Sequence, residues 1–284
     1  MRAAQARRWV AFAALGATGC TLFVDVAGLT SADRTGDTLD GASGADGGDA
    51  TTQGSEGGDA TVTADGPSST YASTVLADEP LAYFSLEETS GTIARDRIAG
   101  LEATWVGTAT LGAKGVVGNG AVFDGASTRL EMPVGKFAFD GKATYSVELW
   151  LRADAVDDKV RRVFSHGTGE SRYTVYFADT FFLGSRSNYD GGNDGYTNLT
   201  PPRAGETHHY VLTFDGAVHR LYRDGAPGES ANSSVDLPSA SGARLVFGDG
   251  VSGTFFKLKG MLDEIAIYDQ ALPEARIRAH FAAR

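Results

Sequence analysis

Two Asp-Gly pairs in the last third of the chain constrain its fold most strongly. Asp215-Gly216 separates the alternating apolar segment His209–Phe214 from the segment His219–Tyr222, and Asp224-Gly225 follows one residue after the second segment. Asp-Gly between two alternating segments is a strong hairpin signal, because these residues adopt the positive φ angles of tight turns. The sequence therefore predicts two consecutive β-hairpins here.

The same pattern extends over residues 71–284. Short apolar or alternating segments stand between Gly or Asp turns, namely Leu81–Leu86, Ala121–Phe123, Thr128–Met132, Tyr145–Leu151, Arg162–Phe164, Tyr173–Phe177, Phe181–Leu183 and Arg244–Phe247. A parallel α/β fold needs helices between its strands, and none is indicated here. We expect an all-β domain, built as a two-sheet antiparallel sandwich.

The segment Gly260–Tyr268 reads as a strand that closes this sandwich. Period-two alternation puts Met261, Ile265 and Ile267 on one face. The same alternation predicts that Asp263 shares that face. An inward carboxylate is costly unless it is paired, hydrogen-bonded or bound to a metal.

A short amphipathic helix is expected after this strand, with Ile277 and Phe281 four residues apart and Pro273 in its first turn. This ending resembles laminin-G-like domains of the concanavalin A-like lectin/glucanase superfamily. Further segments resemble the family in the same order, namely Leu76–Gly91, Val122–Ser127, Tyr145–Trp150, His208–Gly216 and Leu221–Gly225. The resemblance implies a jelly-roll sandwich with a short C-terminal helix. It implies no single function, because this fold hosts lectins, adhesion modules and glycosidases.

The first 19 residues have the pattern of a signal peptide. Three early arginines precede the apolar run Trp9–Ala17, which is shorter than the roughly 20 residues that span a bilayer. Small residues before Cys20 resemble a bacterial lipobox, although Ala17 replaces the usual leucine. We predict lipidation at Cys20; the alternative is an ordinary signal peptide with an unrelated Cys20. Since this is the only cysteine, no intrachain disulfide can form.

Residues 20–70 form a Gly-, Asp-, Ala- and Thr-rich segment that carries most of the net charge of −11. Low hydrophobicity and unbalanced charge predict a disordered linker, although an acidic calcium-collecting or partner-binding tail is an alternative. The expected location is the cell envelope, with a lipid anchor in the outer membrane and the domain facing the periplasm or the outside. Basic residues are scattered in the domain, so we expect no nucleic-acid partner.

Catalytic signatures are absent from the sequence. The superfamily's glucanases carry Glu-x-Asp-x-x-Glu on one strand. Glu148 with Trp150, and Glu264 with Asp269, come nearest, and neither has that spacing. The glycine-rich segment Gly115–Gly120 leads into a strand, which predicts a turn rather than a phosphate loop. We also expect packing roles for the five histidines, and burial under a crossing loop for Trp150. The sequence therefore predicts that the protein is not an enzyme.

The family resemblance implies a structural calcium ion at Asp263. Backbone carbonyls of Gly125 and of the segment near Pro80 would complete the site, since calcium takes oxygen ligands. The alternative is that backbone N–H groups or an arginine satisfy Asp263.

A polar loop is the best candidate for ligand binding. Between positions 188 and 198, side-chain amides and carboxylates alternate with tyrosines, and the candidate residues are Asn188, Tyr189, Asp190, Asn193, Asp194 and Tyr196. Sugars are bound by such mixtures on loops of a rigid scaffold, although a solvated hairpin loop has the same composition. The sequence predicts a non-catalytic, envelope-anchored recognition module for glycans or glycoproteins. The alternative is a structural or protein-interaction sandwich that binds no sugar.

Overall fold

The computed structural model describes residues 70–137, 139, 141, 143–168, 170–187, 193–232, 242–251 and 257–284. The elements in chain order are α1 (Thr70–Leu76), β1 (Ala82–Phe84), β2 (Ile93–Arg95), β3 (Glu102–Val106), β4 (Thr110–Lys114), β5 (Asn119–Asp124), β6 (Arg129–Glu131), β7 (Tyr145–Ala153), β8 (Arg161–Thr168), β9 (Glu170–Phe177), β10 (Phe182–Ser187), β11 (Asn193–Leu199), β12 (Thr207–Phe214), β13 (Val218–Arg223), β14 (Ala226–Asn232), β15 (Arg244–Phe247), β16 (Lys259–Tyr268) and α2 (Glu274–Ala282). Neither described helix is long and apolar enough to cross a membrane.

The strands form two antiparallel sheets. The first has the order β14–β13–β12–β7–β16–β5–β4, and β1 pairs with the second half of β16. The second has the order β11–β10–β9–β8–β15–β6–β3–β2. Asp215-Gly216 joins β12 to β13, and Asp224-Gly225 joins β13 to β14, with φ of 52° at Asp224. The predicted two-sheet sandwich, its consecutive hairpins and its C-terminal helix are confirmed.

The main core lies between the sheets. Alternate residues of β7, including Val147 and Leu149, meet Tyr173, Val175 and Phe177 of β9, and all five are at most 2% exposed. Each such side chain contributes about 1.5–3 kcal/mol by leaving water.

A second apolar layer covers the outer face of the first sheet. Tyr71 of α1 and Ile277 of α2 pack with Trp150 and Tyr268, and all four are fully buried. Trp150 also stacks on Phe281, with 5.9 Å between ring centroids. The predicted burial of Trp150 is confirmed, but two helices cover it rather than a loop. Helix α1 was not predicted, because its seven residues follow a polar segment without an apolar period.

The alternation along β16 differs from the prediction. The register with β7 shifts after Asp263, where Glu264 adopts a φ of 54°. Ile265 and Ile267 face the main core, whereas Asp263 pairs with Trp150, which belongs to the outer layer. The predicted sharing of one face by Asp263 and the two isoleucines is therefore wrong. A β-bulge inserts an extra residue, and the alternation of faces changes there.

Candidate functional site

The structure divides the predicted ligand loop into two parts. Three of its six candidate residues lie outside the described residues: Asn188, Tyr189 and Asp190. The other three belong to the first half of β11, which is a strand rather than the expected loop: Asn193, Asp194 and Tyr196. Their backbone pairs with β10, and their side chains lie outside the described part of the structure.

A groove lies on the same β10–β11 hairpin. It is a shallow and largely open depression of about 500 Å³, lined by Tyr176, Phe181, Leu183, Asn198 and Glu229. We call it the hairpin groove. Its volume lies within the range of roughly 300–1,000 Å³ that is typical of ligand pockets. Sequence reasoning found none of these five residues, although Asn198 closes the loop that it selected.

Strand register explains how the floor of the hairpin groove is assembled. Leu183 of β10 lies opposite Tyr176 of β9 and opposite Asn198 of β11, so the three form one row across neighbouring strands. Val175 and Phe177, on either side of Tyr176, are buried in the main core. Because side chains alternate along a strand, Tyr176 points away from the core.

The wall of the groove comes from the other sheet. A Cβ atom on Gly228 of β14 would lie 2.4 Å from Cδ2 of Leu199 and 2.8 Å from the carbonyl oxygen of Asn198. Only a glycine therefore lets β14 approach β11 this closely. The approach places Glu229, the next residue, beside Asn198 at the groove.

The lining combines aromatic and polar groups. The rings of Tyr176 and Phe181 meet edge to face, with centroids 5.8 Å apart and an interplanar angle of 84°. Asn198 adds an amide and the exposed Glu229 adds a carboxylate. Aromatic faces pack against apolar CH groups, and amides and carboxylates bond hydroxyl groups. The groove thus offers the group types that bind a sugar.

The predicted metal ligand Asp263 faces the turn between β4 and β5. Its Oδ2 atom accepts hydrogen bonds from the backbone N–H groups of Val116 at 2.7 Å and Val117 at 3.2 Å. On the other side of the turn, Glu87 accepts the N–H of Asn119 at 2.9 Å. Two carboxylates therefore hold this turn by its backbone donors. One carboxylate oxygen of Asp263 is therefore hydrogen-bonded by backbone N–H groups, as predicted by the alternative to a metal ion.

Two glycines make the β4–β5 turn fit between these carboxylates. A Cβ atom on Gly115 would lie 2.4 Å from Oδ2 of Asp263, and one on Gly118 would lie 2.2 Å from Oε1 of Glu87. Gly118 also has a φ of 60°, a conformation that favours glycine. The glycine-rich segment is a turn, as predicted, and its N–H groups serve carboxylates of the same chain.

The second oxygen of Asp263 is different. Oδ1 has no hydrogen-bond partner in the described part of the chain, and the residue is fully buried. Burial raises the pKa of Asp263 to about 7, against the opposing effect of the Val116 and Val117 N–H groups. Burial and the Asp263 charge raise the pKa of Glu264 to about 9, and Glu264 accepts a hydrogen bond from the Tyr83 hydroxyl.

An unpartnered carboxylate oxygen suits a cation with oxygen ligands. Within the described ranges, however, no group of three or more His, Cys, Asp or Glu side chains could hold a metal ion. Backbone oxygens would have to supply the rest of the coordination. The carbonyl oxygen of Asn119 lies near Asp263, since it is 2.5 Å from the same Cβ position on Gly115.

Gly125, the other predicted metal ligand, lies elsewhere. Its neighbour Asp124 pairs with Lys259, four residues before Asp263 on β16. At about 3.3 Å per residue, this places the turn of Gly125 roughly 13 Å from Asp263 along the strand. Asp124 uses its carboxylate to bond backbone N–H groups of its own turn, such as that of Ala126 at 2.8 Å. The antiparallel register therefore does not bring Gly125 and Asp263 together.

Glu148 is the centre of a buried polar network that sequence reasoning missed. Its carboxylate accepts hydrogen bonds from the hydroxyl groups of Tyr71 and Tyr268, each at 2.8 Å. It also accepts one from Nε2 of His209 at 2.7 Å and one from Nδ1 of His280 at 2.9 Å. We call these five residues the Glu148 network. It joins both helices to three strands of the first sheet.

Charge stabilises this network. Burial alone would raise the pKa of Glu148, but hydrogen bonds from His209 and His280 hold it well below its usual range. Nε2 of His280 lies 2.7 Å from Oδ2 of Asp78, which Arg276 also bonds. Burial opposes protonation of His280, and the hydrogen bonds and charges of Glu148 and Asp78 outweigh it and raise its pKa. Both ring nitrogens of His280 therefore donate to carboxylates.

Two of the three carboxylates that came nearest to a glucanase pattern are buried, whereas the third, Asp269, is exposed. Glu148 is 0% and Glu264 1% exposed, and both are engaged with neighbouring side chains. Glycosidases need two carboxylates on either side of the bond they cleave.

The packing roles predicted for His209 and His280 are confirmed, and His208 bonds Asp224 at 2.7 Å.

A sequence profile described as the concanavalin A-like lectin/glucanases superfamily, in its laminin-G-like branch, matches residues 124–278. No curated protein matches the sequence.

Several solved structures resemble the fold. Domain 4 of an extracellular arabinanase from Geobacillus stearothermophilus, solved in complex with arabinotriose, matches with a TM-score of 0.55 and 19% identity, over 72% of this chain and 98% of that domain. The binding domain of botulinum neurotoxin serotype G matches with a TM-score of 0.59 and 9% identity, over 72% and 51% of the two chains. A sialidase from Trypanosoma rangeli matches with a TM-score of 0.56 and 16% identity, but only 32% of that chain is covered.

Proposed function

The chain belongs to the laminin-G-like family of the concanavalin A-like lectin/glucanase superfamily, and from this membership we propose that it is a non-catalytic recognition module for glycans or glycoproteins. The hairpin groove is the observation that carries the proposal. It combines an aromatic pair, an amide and a carboxylate, and its floor lies on β9 and β10, whose opposite faces pack in the core. A rigid scaffold of this kind reduces the entropy lost on binding.

The comparisons support the proposal at the level of the fold. Two of the similar structures are a domain solved with arabinotriose and the binding domain of a neurotoxin. The candidate ligand residues of β11, Asn193, Asp194 and Tyr196, belong to the same hairpin as the groove. A glycan longer than one residue would extend from the groove towards them.

A structural calcium ion at Asp263 is part of the proposal. The unpartnered and buried Oδ1 atom supports it, and the Asn119 carbonyl is a candidate for a second ligand. A bound cation would neutralise Asp263 and hold the β4–β5 turn against β16. Glu229 on β14 is four strands away from β16 in the first sheet, about 19 Å at roughly 4.8 Å per strand. The ion would thus stabilise the fold without contacting the glycan.

We also propose that a lipid on Cys20 anchors the protein in the cell envelope, with residues 20–70 as a flexible linker. The sequence before Cys20 supports this. Cys20→Ser is expected to move the protein from the membrane fraction to the soluble fraction. A wild-type protein that is already in the soluble fraction would contradict lipidation.

A glycan array tests the recognition function. The chain without residues 1–20 is applied with calcium and with a chelator. We expect binding to a limited set of glycans, weakened by Tyr176→Ala in the groove and by Tyr189→Ala or Tyr196→Ala in the candidate loop and β11. A blank array for the folded wild-type chain would contradict glycan binding and favour the protein-interaction alternative.

A further inference from the structure

The hairpin groove carries one charged side chain, and its sign indicates which glycans it accepts. Among the described residues that line the groove, Glu229 is the only one that carries a charge at neutral pH. It is exposed on β14 beside Asn198, at the end of the groove opposite Tyr176 in the row of β9, β10 and β11. A ligand in contact with the aromatic pair would thus extend towards a carboxylate.

Among the side chains that the structure describes, two arginines lie near the groove, and both are engaged elsewhere. Arg162 of β8 lies opposite Tyr176 of β9 in the strand register. Its guanidinium nevertheless packs against Gly250, and the Asp249 carboxylate lies nearby. Arg223 donates to the carbonyl oxygen of Thr200 at 3.0 Å and to its hydroxyl oxygen at 2.8 Å. Neither lines the groove, so among the described lining residues no cation contacts an anionic ligand there.

We infer that the hairpin groove selects amine-bearing sugars over neutral ones and rejects uronic acids. The inference rests on the proposed glycan binding and names its ligand class. A sugar ammonium donates charge-assisted hydrogen bonds to Glu229, while the CH face of the ring packs on Tyr176. A uronate places a like charge beside Glu229, which disfavours binding. Residues 71–284 contain 27 Asp and Glu against 21 Lys and Arg, and this net charge of −6 acts in the same direction over longer distances.

The experiment uses matched sugars. For each backbone that binds on the array, the neutral, amine-bearing and carboxylate-bearing oligomers of equal length are titrated calorimetrically against the chain without residues 1–20. A buffer of about pH 5.5 keeps exposed glutamates ionised and sugar amines protonated. We expect the amine-bearing oligomer to bind about three- to five-fold tighter than the neutral one, which is the effect of an exposed ion pair. The uronate should bind more weakly than the neutral oligomer.

Two controls assign the preference to one residue. Glu229→Gln should reduce the ratio of the amine-bearing to the neutral affinity to about one, because both affinities are measured on the same variant and any general loss of binding cancels in the ratio. Glu102→Gln makes the same charge change on β3, six strands away from β11 in the second sheet, and should leave the ratio intact. Salt at about 1 M should abolish the preference but not neutral binding, since it screens exposed charges.

The outcomes separate the two levels of the proposal. Uronate binding as tight as neutral binding, or an unchanged ratio in Glu229→Gln, would overturn the amine preference and leave glycan binding standing. Absence of binding to any glycan would overturn the proposed function and the preference together.

Discussion

His280 places its Nδ1 atom 2.9 Å from the carboxylate of Glu148, and both side chains are fully buried. Helix α2 is thereby fixed to β7 by an ion pair out of contact with water. A second carboxylate, that of Asp78 two residues after the end of α1, lies 2.7 Å from Nε2 of the same ring. One imidazolium therefore fixes both helices over the outer face of the first sheet.

This contact predicts a pH-dependent contribution to stability. The pKa of His280 is raised above its ordinary 6.5 by Glu148 and Asp78 despite burial, so its contribution is complete below about pH 6.5 and is lost as pH rises through the folded value. The pKa of Glu148 is depressed, so its contribution is complete above about pH 4.5 and is lost in acid. The stability difference between wild type and His280→Gln should be largest between these values.

Thermal unfolding of both proteins from about pH 5 to pH 9 measures that difference. Asp263 and Glu264, whose raised pKa values also lower stability as pH rises, are present in both proteins and cancel. At pH 5.5 we expect the wild type to be more stable than His280→Gln by about 1.5–3 kcal/mol, which is the contribution of hydrogen bonds to charged groups. A difference that stays constant up to pH 9 would show that His280 is not the titrating group.

Replacing the centre of the network should cost more. Glu148→Gln keeps the size of the side chain but leaves His280 beside a neutral amide. Breaking a buried ion pair costs about 3–5 kcal/mol, or roughly 10 °C in Tm for a domain of this size. Glu131→Gln removes a half-buried pair with Arg129 and should lower Tm by no more than a few degrees. Equal effects of the two changes would contradict the role of the Glu148 network.

The strands were predictable and the network was not, for a physical reason. Alternation along Tyr145–Leu151 depends on neighbouring residues, and the hairpins depend on two Asp-Gly pairs, so both can be read locally. The partners of Glu148 are 61 to 132 residues away in the sequence, and only the sheet register brings them together. The bulge at Glu264 was missed for a related reason, because no glycine stands at the position where the register shifts.

The candidate sites show the same limit. Composition selected the hairpin of β10 and β11, on which the groove lies. Its wall residue Glu229 comes from β14, and a glycine contact at Gly228 brings that strand close. Asp263 was identified by its charge in an apolar strand, but its partners in the β4–β5 turn are some 146 residues away.

The β4–β5 turn provides a steric prediction. Gly118→Ala and Gly135→Ala both place a side chain at a positive φ, of 60° and 71° respectively. An alanine at Gly118 also meets Glu87, whereas nothing lies within 4 Å of a Cβ atom on Gly135. Gly135→Ala should cost about 1–2 kcal/mol from strain alone, and Gly118→Ala clearly more. Denaturant unfolding measures both, and equal losses would show that Glu87 moves aside freely.

The calcium proposal is tested by an isosteric change. Asp263→Asn can still accept the N–H groups of Val116 and Val117 but carries no charge. When free calcium is present at 100 times its dissociation constant, the free energy of unfolding of the wild type should rise by about 2.7 kcal/mol. A chelator should remove this gain. Asp263→Asn should not respond to the chelator, and it should equal or exceed chelated wild type because no unpaired carboxylate is buried. A chelator that shifts neither protein would exclude the ion.

The affinity of Tyr176→Ala for the best-binding glycan tests recognition by the hairpin groove most directly. The residue lies at one end of the row that forms the groove floor, and its neighbours Val175 and Phe177 hold the strand in the core, so the variant should remain folded by circular dichroism. Val134→Ala, an exposed apolar residue between β6 and β7, is the control. Calorimetric titration should give an affinity at least about tenfold weaker for Tyr176→Ala, equivalent to roughly 1.4 kcal/mol, and an unchanged affinity for Val134→Ala. A folded Tyr176→Ala that binds the glycan as tightly as wild type would show that the hairpin groove is not the binding site.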